Sequence, residues 1–130
     1  MLNVHAQLAV FLDNRPGILA RVCQALAKAR INIIALSVLD TVDHAIIRMV
    51  VDKPKEAERV LEQLPAIVQV RNVVFLEVPN EVGALARIAE RLAEAGINLE
   101  YAYCAGSTSG SPGGLVLRTN DLEATINALS

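Results

Sequence analysis

Two short stretches of the chain carry residues that could bind a small zwitterion. In each, an asparagine lies three residues before a glycine that opens a predicted helix: Asn14 before Gly17, and Asn80 before Gly83. The first N–H groups of a helix lack partners within the helix and carry partial positive charge, which favours a carboxylate. Glycine lets a ligand approach these N–H groups closely, and an asparagine amide can accept a hydrogen bond from an ammonium group. The pattern suits a free α-amino acid, although asparagine is also a common helix N-cap.

The residues around the two stretches form a repeat. Residues 14–32 and 80–98 are offset by 66 positions, and ten of the 19 aligned positions are identical. We therefore predict two copies of one unit, with domains at 1–70 and 71–130. Because a unit of this size buries only a modest core alone, we expect the two copies to pack together.

Each copy shows the pattern of strand, helix, strand, strand and helix. This order predicts an α+β fold with two ferredoxin-like βαββαβ units in tandem, the second of which lacks its last strand after helix 121–129. An unpaired sheet edge promotes aggregation, so we expect either that segment 66–78 is shared between the copies or that a second chain covers the edge. Gly96 is a predicted left-handed helix C-cap, whereas the first copy has Arg30 there.

Composition excludes several classes of protein. Twelve basic residues against 14 acidic ones give a net charge of −2, without the basic excess expected of a nucleic-acid binder. No apolar run approaches the roughly 20 residues that span a bilayer. Two cysteines make no disulfide framework, and the first residues do not resemble a signal peptide. We therefore expect a cytoplasmic protein with no nucleic-acid or membrane partner.

Patterns typical of enzymes are weak. His5 and His44 have no spaced set of further ligands for zinc, and no evident base would activate Cys104. The Gly/Ser-rich segment 105–114 lacks the lysine of a phosphate-binding loop, so it reads as a lid or as a plain hairpin connection. We expect no catalytic residue, no metal and no cofactor.

The quoted stretches resemble a known signature. Residues 12–19, followed by 31–33, are similar to the signature of ACT domains, and residues 78–85, with 96–99, resemble a second one. The chain as a whole resembles a small stand-alone double ACT-domain protein without a catalytic domain. The resemblance implies βαββαβ units that pair through their sheets and bind an amino acid at the interface between units.

In that family the ligand contacts come from the loop between the first strand and first helix, and from the second strand of a neighbouring unit. The resemblance therefore implies a set of ligand-binding residues in both copies. These are Asn14, Arg15, Gly17, Ile18, Leu19 and Ser37 in the first copy, and Asn80, Gly83, Ala84, Leu85, Glu100, Tyr101 and Tyr103 in the second.

The copies differ at several of these positions. Glu81 stands where the first copy has Arg15, and an acidic residue beside a carboxylate site is unfavourable, so the first copy looks better suited to an anionic group. Tyr101 and Tyr103 share one face of their strand, where they could line a ligand's side chain or simply pack on the sheet. Glu100 could meet an ammonium group or be exposed.

Arg118 lies in an apolar strand, where an arginine should be paired or at an edge. Arg118 could pair with a carboxylate or make a contact between the domains, and the sequence does not decide between these possibilities.

Together these features indicate a non-catalytic regulatory module that binds a free amino acid, as a homodimer. The alternative is a regulatory interaction subunit that docks on an amino-acid biosynthetic enzyme and binds no ligand of its own. A small enzyme is a third and weaker alternative.

Overall fold

The computed structural model describes residues 2–41, 43–105 and 112–130. Within these residues, strands and helices follow the order that the repeat predicts, so the tandem α+β, ferredoxin-like fold is confirmed. The elements are β1 (Leu2–Asp13), α1 (Ile18–Lys28), β2 (Ile33–Asp40), β3 (His44–Val51), α2 (Pro54–Glu62), β4 (Ile67–Val78), α3 (Ala84–Glu94), β5 (Leu99–Ala105), β6 (Gly113–Thr119) and α4 (Leu122–Leu129).

The chain forms two compact units. The first unit is Ala6–Arg71, and the second unit combines Met1–His5 with Asn72–Ser130. Strands β1 and β4 are therefore each divided: residues 2–5 of β1 and 72–78 of β4 belong to the second unit, and the remainder of both strands belongs to the first. The expectation that segment 66–78 is shared between the two copies is confirmed.

The first unit is a four-stranded antiparallel sheet covered on one face by α1 and α2. Its strands lie in the order β2-β3-β1-β4, and β1 pairs with β3 from Gln7 opposite Val50 to Asp13 opposite His44. Apolar residues spaced four apart on α1 pack on the sheet, as expected for an amphipathic helix. The core of this unit contains Leu8, Val10, Leu12, Val22, Leu26, Ile31, Ile47, Met49, Val51, Ala57 and Leu61.

The second unit has the equivalent order, β5-β6-β4-β1, in which residues 2–5 of β1 occupy the place that β4 occupies in the first unit. Leu2 packs against the core of this unit, and the His5 and Phe75 ring centroids lie 5.3 Å apart. No strand follows α4 in the part of the chain that the structure describes. Residues 2–5 of β1 thus form the strand beside β4 in this unit.

Helices α1 and α3 end in the same way. The N–H of Ile31 donates to the Leu26 carbonyl and the N–H of Ile97 to the Leu92 carbonyl, both at 2.9 Å, which is the hydrogen bond of a Schellman cap. Arg30 and Gly96 occupy the left-handed position, with φ of 60° and 70°. The predicted cap at Gly96 is confirmed, and Arg30 adopts the same conformation despite its side chain.

Two further expectations concern the Gly/Ser-rich segment 105–114 and membrane spans. Most of segment 105–114 lies outside the described residues, so its role as a lid or a plain connection stays a prediction. Among the helices of the described ranges, none is long and apolar enough to cross a membrane.

Candidate functional site

Each strand-to-helix turn presents an uncapped helix start. The N-caps of α1 and α3 are Gly17 and Gly83, with φ of 84° and 87°, and among the described residues no side chain accepts a hydrogen bond from either helix start. Glycine is favoured here because a side chain strains the backbone at such positive φ. Asn14 and Asn80 are thus not the N-caps. The N–H groups of Ile18 and Ala84 donate to the carbonyl oxygens of Arg15 and Glu81 at 3.2 and 3.3 Å, and the N–H groups that follow them in the first turn of each helix can bind an anion.

In the first unit the asparagine is held by the neighbouring hairpin. The Asn14 side-chain amide donates to the Asp40 carboxylate at the end of β2, and the Asn14 backbone N–H donates to the Asp43 carbonyl at 3.4 Å. These bonds tie the turn after β1 to the β2–β3 hairpin. Asp40 is a carboxylate at this turn that sequence reasoning missed, because the two residues are 26 positions apart and meet only through the sheet.

Two arginines surround the helix start of the first unit. Arg15 and Arg21 line a cavity of about 470 Å³ together with Pro16, Gly17 and Ile18. The charged groups around this cavity are both guanidinium groups, which bind carboxylates through several N–H donors. Three predicted site residues, Arg15, Gly17 and Ile18, are therefore brought together here.

The second unit carries an ion pair at the equivalent positions. The Glu81 carboxylate lies 2.5 Å from the Arg87 guanidinium, and both side chains are more than half exposed. The sequence comparison counted Glu81 against an anion site in this copy. The structure alters that argument, because Arg87 compensates the negative charge of Glu81.

A second cavity lies between this turn and the β5–β6 pair. Its volume is about 260 Å³, and it brings the predicted residues Asn80, Ala84 and Leu85 together with Glu81. Among the described residues, none forms a hydrogen bond with the Asn80 side chain. The remaining lining residues, which sequence reasoning did not place at the site, are Val78, Pro79, Cys104, Gly113, Gly114 and Leu115.

The predicted residues on β5 contact the sheet rather than the helix start. Tyr101 and Tyr103 stack with ring centroids 6.5 Å apart. Tyr103 lies opposite Val116, whereas the neighbouring pair, Ala102 and Leu117, faces the helix-covered core. The alternation of a strand therefore places both tyrosines on the opposite side of β5 from Ala102, although Tyr103 also borders a cavity that α3 residues line.

Glu100 and Arg118 form an ion pair. The Glu100 carboxylate lies 3.4 Å from the Arg118 guanidinium, which also donates to the Asn72 carbonyl at 2.8 Å. Of the two possibilities for Arg118, the carboxylate partner is confirmed.

Ser37 lies opposite Arg48, while the next pair, Leu36 and Met49, faces the core of the first unit. Ser37 is therefore on the sheet face away from α1.

Comparison with known proteins gives the family directly. The model of the ACT domain pair matches residues 3–129, which is nearly the whole chain. The chain belongs to the ACT domain family. Comparison of this ACT pair with curated proteins gave no match.

Three solved structures illustrate the similarity of the ACT pair to known folds. A protein from Bacteroides thetaiotaomicron is 32% identical with a TM-score of 0.89, over 98% of this chain and 88% of that one. The regulatory subunit of aspartate kinase from Thermus thermophilus, in a ligand-free form, is 21% identical with a TM-score of 0.70, over 98% and 93%. That from Thermus flavus is also 21% identical, with a TM-score of 0.62, over 99% and 93%.

The two turns of the ACT pair carry polar and charged groups that can bind a ligand. The turn of the second unit combines N–H groups of the helix start with the Asn80 amide and charged side chains, which can hold a zwitterion by hydrogen bonds, whereas the Asn14 amide of the first unit is already bonded to Asp40. Within the described ranges, no group of three or more His, Cys, Asp or Glu residues could hold a metal ion.

Proposed function

We propose that this ACT pair is a non-catalytic regulatory protein that binds a free amino acid at the strand-to-helix turn of its second unit. The observation that carries the proposal is the cavity of about 260 Å³ in which Asn80 and the start of α3 border the same space. The helix start would hold the carboxylate, and the Asn80 amide oxygen would accept from the ammonium group.

The structural relatives support a regulatory role. The same fold, at 21% identity, is the regulatory subunit of aspartate kinase in two Thermus species. A regulatory chain acts by binding its effector more tightly in one arrangement than in another, which shifts the population of its partner. A role in controlling an enzyme of amino-acid metabolism therefore extends naturally to this ACT pair.

We further propose that two copies associate through the outer strands. Strand β2 is an outer strand of the first unit, and its alternate residues Ile34, Leu36 and Val38 are 36–49% exposed. An outer strand with apolar side chains invites pairing with another chain. A second copy would then also supply the neighbouring strand that the ACT resemblance places beside a ligand. A monomer in sedimentation at micromolar concentration would contradict this part of the proposal.

We also propose that the protein is located in the cytoplasm. Both Cys23 and Cys104 are free thiols, as is usual in a reducing compartment.

One observation favours the alternative function. In the first unit the polar groups of the turn are already engaged, because Asn14 is bonded to Asp40 and Asp43. Because the polar groups of this turn already have hydrogen-bond partners within the chain, the turn needs no ligand. This favours a subunit that only docks on an amino-acid biosynthetic enzyme. The second unit distinguishes the two functions, because its Asn80 side chain has no hydrogen-bond partner among the described residues.

Calorimetric titration of the full chain with each of the twenty amino acids tests the proposal. We expect at least one to bind at submillimolar concentration. A Gly83→Asp variant should lose at least about tenfold in affinity, because it places a carboxylate where the ligand's carboxylate belongs. Gly83→Asn is the matched control, since asparagine has nearly the same shape and the same tolerance of positive φ but no charge.

Two outcomes would contradict the proposal. If no amino acid binds at millimolar concentration, the docking function is favoured instead. If Gly83→Asp leaves the affinity unchanged while Gly17→Asp abolishes binding, the site belongs to the first unit.

A further inference from the structure

An apolar groove runs between α3 and the outer strand β5 of the second unit. Its volume is about 260 Å³, and none of the described residues that line it is charged. Two of its lining leucines, Leu85 and Leu99, are 53% and 39% exposed, so apolar surface is left in contact with water. The lining residues are Leu85, Ile88, Ala89, Leu92, Leu99, Ala102, Tyr103, Cys104, Leu115 and Leu117.

Small residues on both walls open this groove. Ala89 on α3 and Ala102 on β5 line it, and the register places Ala102 opposite the core residue Leu117, on the face that α3 covers. At the equivalent positions, 66 residues earlier, the first unit has Cys23 and Leu36. Cys104 likewise stands where the first unit has the larger Val38. The second unit thus has smaller side chains than the first unit at three positions that line this groove.

The groove adjoins the cavity at the strand-to-helix turn. The two share Leu85, Cys104 and Leu115, so the polar space at Asn80 and the start of α3 lies next to the apolar groove along β5. A polar end that binds charge, followed by an apolar channel, is the layout of small-molecule sites in general.

We infer that the ligand of the second unit is a free amino acid with a large apolar side chain, aliphatic or aromatic, which occupies this groove. The inference rests on the proposed function and adds the class of ligand. The ammonium and carboxylate groups lie at the turn, and the side chain extends between α3 and β5. A charged side chain is excluded because the groove offers no partner for a buried charge.

The expected preference follows from the area buried. Each methylene transferred from water to an apolar site contributes about fourfold in affinity. Leucine has three more carbon atoms than alanine, so full burial gives roughly 50-fold tighter binding. Serine, aspartate and lysine gain nothing from the groove.

The test is a calorimetric comparison of leucine, isoleucine and phenylalanine with alanine, serine, aspartate and lysine on the full chain. We expect the best apolar amino acid to bind at least tenfold more tightly than alanine. The variant Ala89→Phe fills the groove and should reduce leucine to the affinity of alanine, while alanine itself binds as before. Ala93→Phe is the matched control, because Ala93 is exposed on the same helix but lines neither the groove nor the cavity at the turn. Thermal unfolding of both variants verifies that they fold.

The outcomes separate this inference from the proposed function. If serine, aspartate or lysine binds as tightly as leucine and Gly83→Asp abolishes that binding, the amino-acid site stands and the apolar class is wrong. If leucine binds tightly but equally well to folded Ala89→Phe, its side chain does not occupy the groove and the inference is wrong. If no amino acid binds at millimolar concentration, the proposed function fails, and the inference fails with it.

Discussion

The strand-to-helix turns of the two units have the same backbone and different surroundings. Gly17 and Gly83 open their helices with φ values only a few degrees apart. In the first unit, however, Asn14 is bonded to Asp40, whereas Glu81 of the second unit is paired with Arg87 and leaves Asn80 free of partners among the described residues. Duplication has thus preserved the helix start and changed the side chains around it. A binding site can be lost or gained on an unchanged backbone.

The two units also differ in where their fourth strand comes from. The first unit takes residues 67–71 of β4, which follow its second helix directly, whereas the second unit takes residues 2–5 of β1. Three changes to the sequence test how far the units differ in their edge strand, their helix ends and their turns.

Deletion of residues 2–5 should have the largest effect, and it should fall first on the second unit. The deletion removes Leu2 from that core and the His5 ring from Phe75. The deletion also removes the hydrogen bonds of this strand. Because of these combined losses, we expect a decrease of about 3–5 kcal/mol in the free energy of unfolding. Tyr101 and Tyr103 are the two tyrosines of the chain and both lie in the second unit, so tyrosine fluorescence in a urea titration reports on that unit.

The control for this deletion is Val4→Thr, since Val4 is 45% exposed and its replacement should change stability by less than about 0.5 kcal/mol. If the tyrosine transition of the deletion variant stays where it is in the parent chain, residues 2–5 do not stabilise the second unit. The domain limits proposed from the repeat, 1–70 and 71–130, would then describe the chain better than the compact units do.

Exchanging the residues at the two helix ends should have smaller and opposite effects. A left-handed conformation costs an L-residue roughly 1–2 kcal/mol, part of which is offset by the greater flexibility of glycine in the unfolded chain. We therefore expect Arg30→Gly to stabilise the protein by about 0.5–1 kcal/mol, and Gly96→Ala to destabilise it by about 1 kcal/mol.

Urea midpoints with an unchanged slope measure both effects. The expected loss of stability in Gly96→Ala comes from the backbone conformation and not from a steric clash, because an added Cβ meets nothing within 4 Å. A loss of stability in Arg30→Gly would show that the arginine side chain contributes contacts that outweigh its strained backbone.

Replacing the two asparagines should have the smallest effect on stability and the clearest contrast between the turns. Asn14→Ala removes an exposed hydrogen bond to a carboxylate, which should cost about 0.5–1 kcal/mol. Asn80→Ala should leave the free energy of unfolding unchanged but weaken amino-acid binding. Denaturant unfolding and calorimetric titration of both variants provide the comparison, and equal losses of stability would show that the turns are held in the same way.

The sequence predicted the elements better than the contacts of the site. Helices that open at Gly17 and Gly83 follow from the repeat, and α1 and α3 begin at the residues directly after these glycines. The pairs Asn14–Asp40 and Glu100–Arg118 were not assigned, because their members lie on different strands and meet only once the register is fixed. The register also decides that the two tyrosines lie on the opposite side of β5 from Ala102.

The groove beside β5 could be predicted from the sequence only in part. The replacement of Cys23 and Leu36 by Ala89 and Ala102 is visible once the copies are aligned. That the two alanines line the same groove requires the packing of α3 on the sheet, which no local pattern specifies.

The sequence by itself determined the repeat, the order of the elements, and the left-handed glycines that open α1 and α3. These follow from sterics and hydrogen bonds among residues close in the chain, so each copy expresses them independently. Only the tertiary structure decided that residues 2–5 complete the second unit and that one turn is closed while the other is open. Strand pairing and side-chain contacts depend on residues far apart in sequence, whose positions are fixed only when the sheet forms.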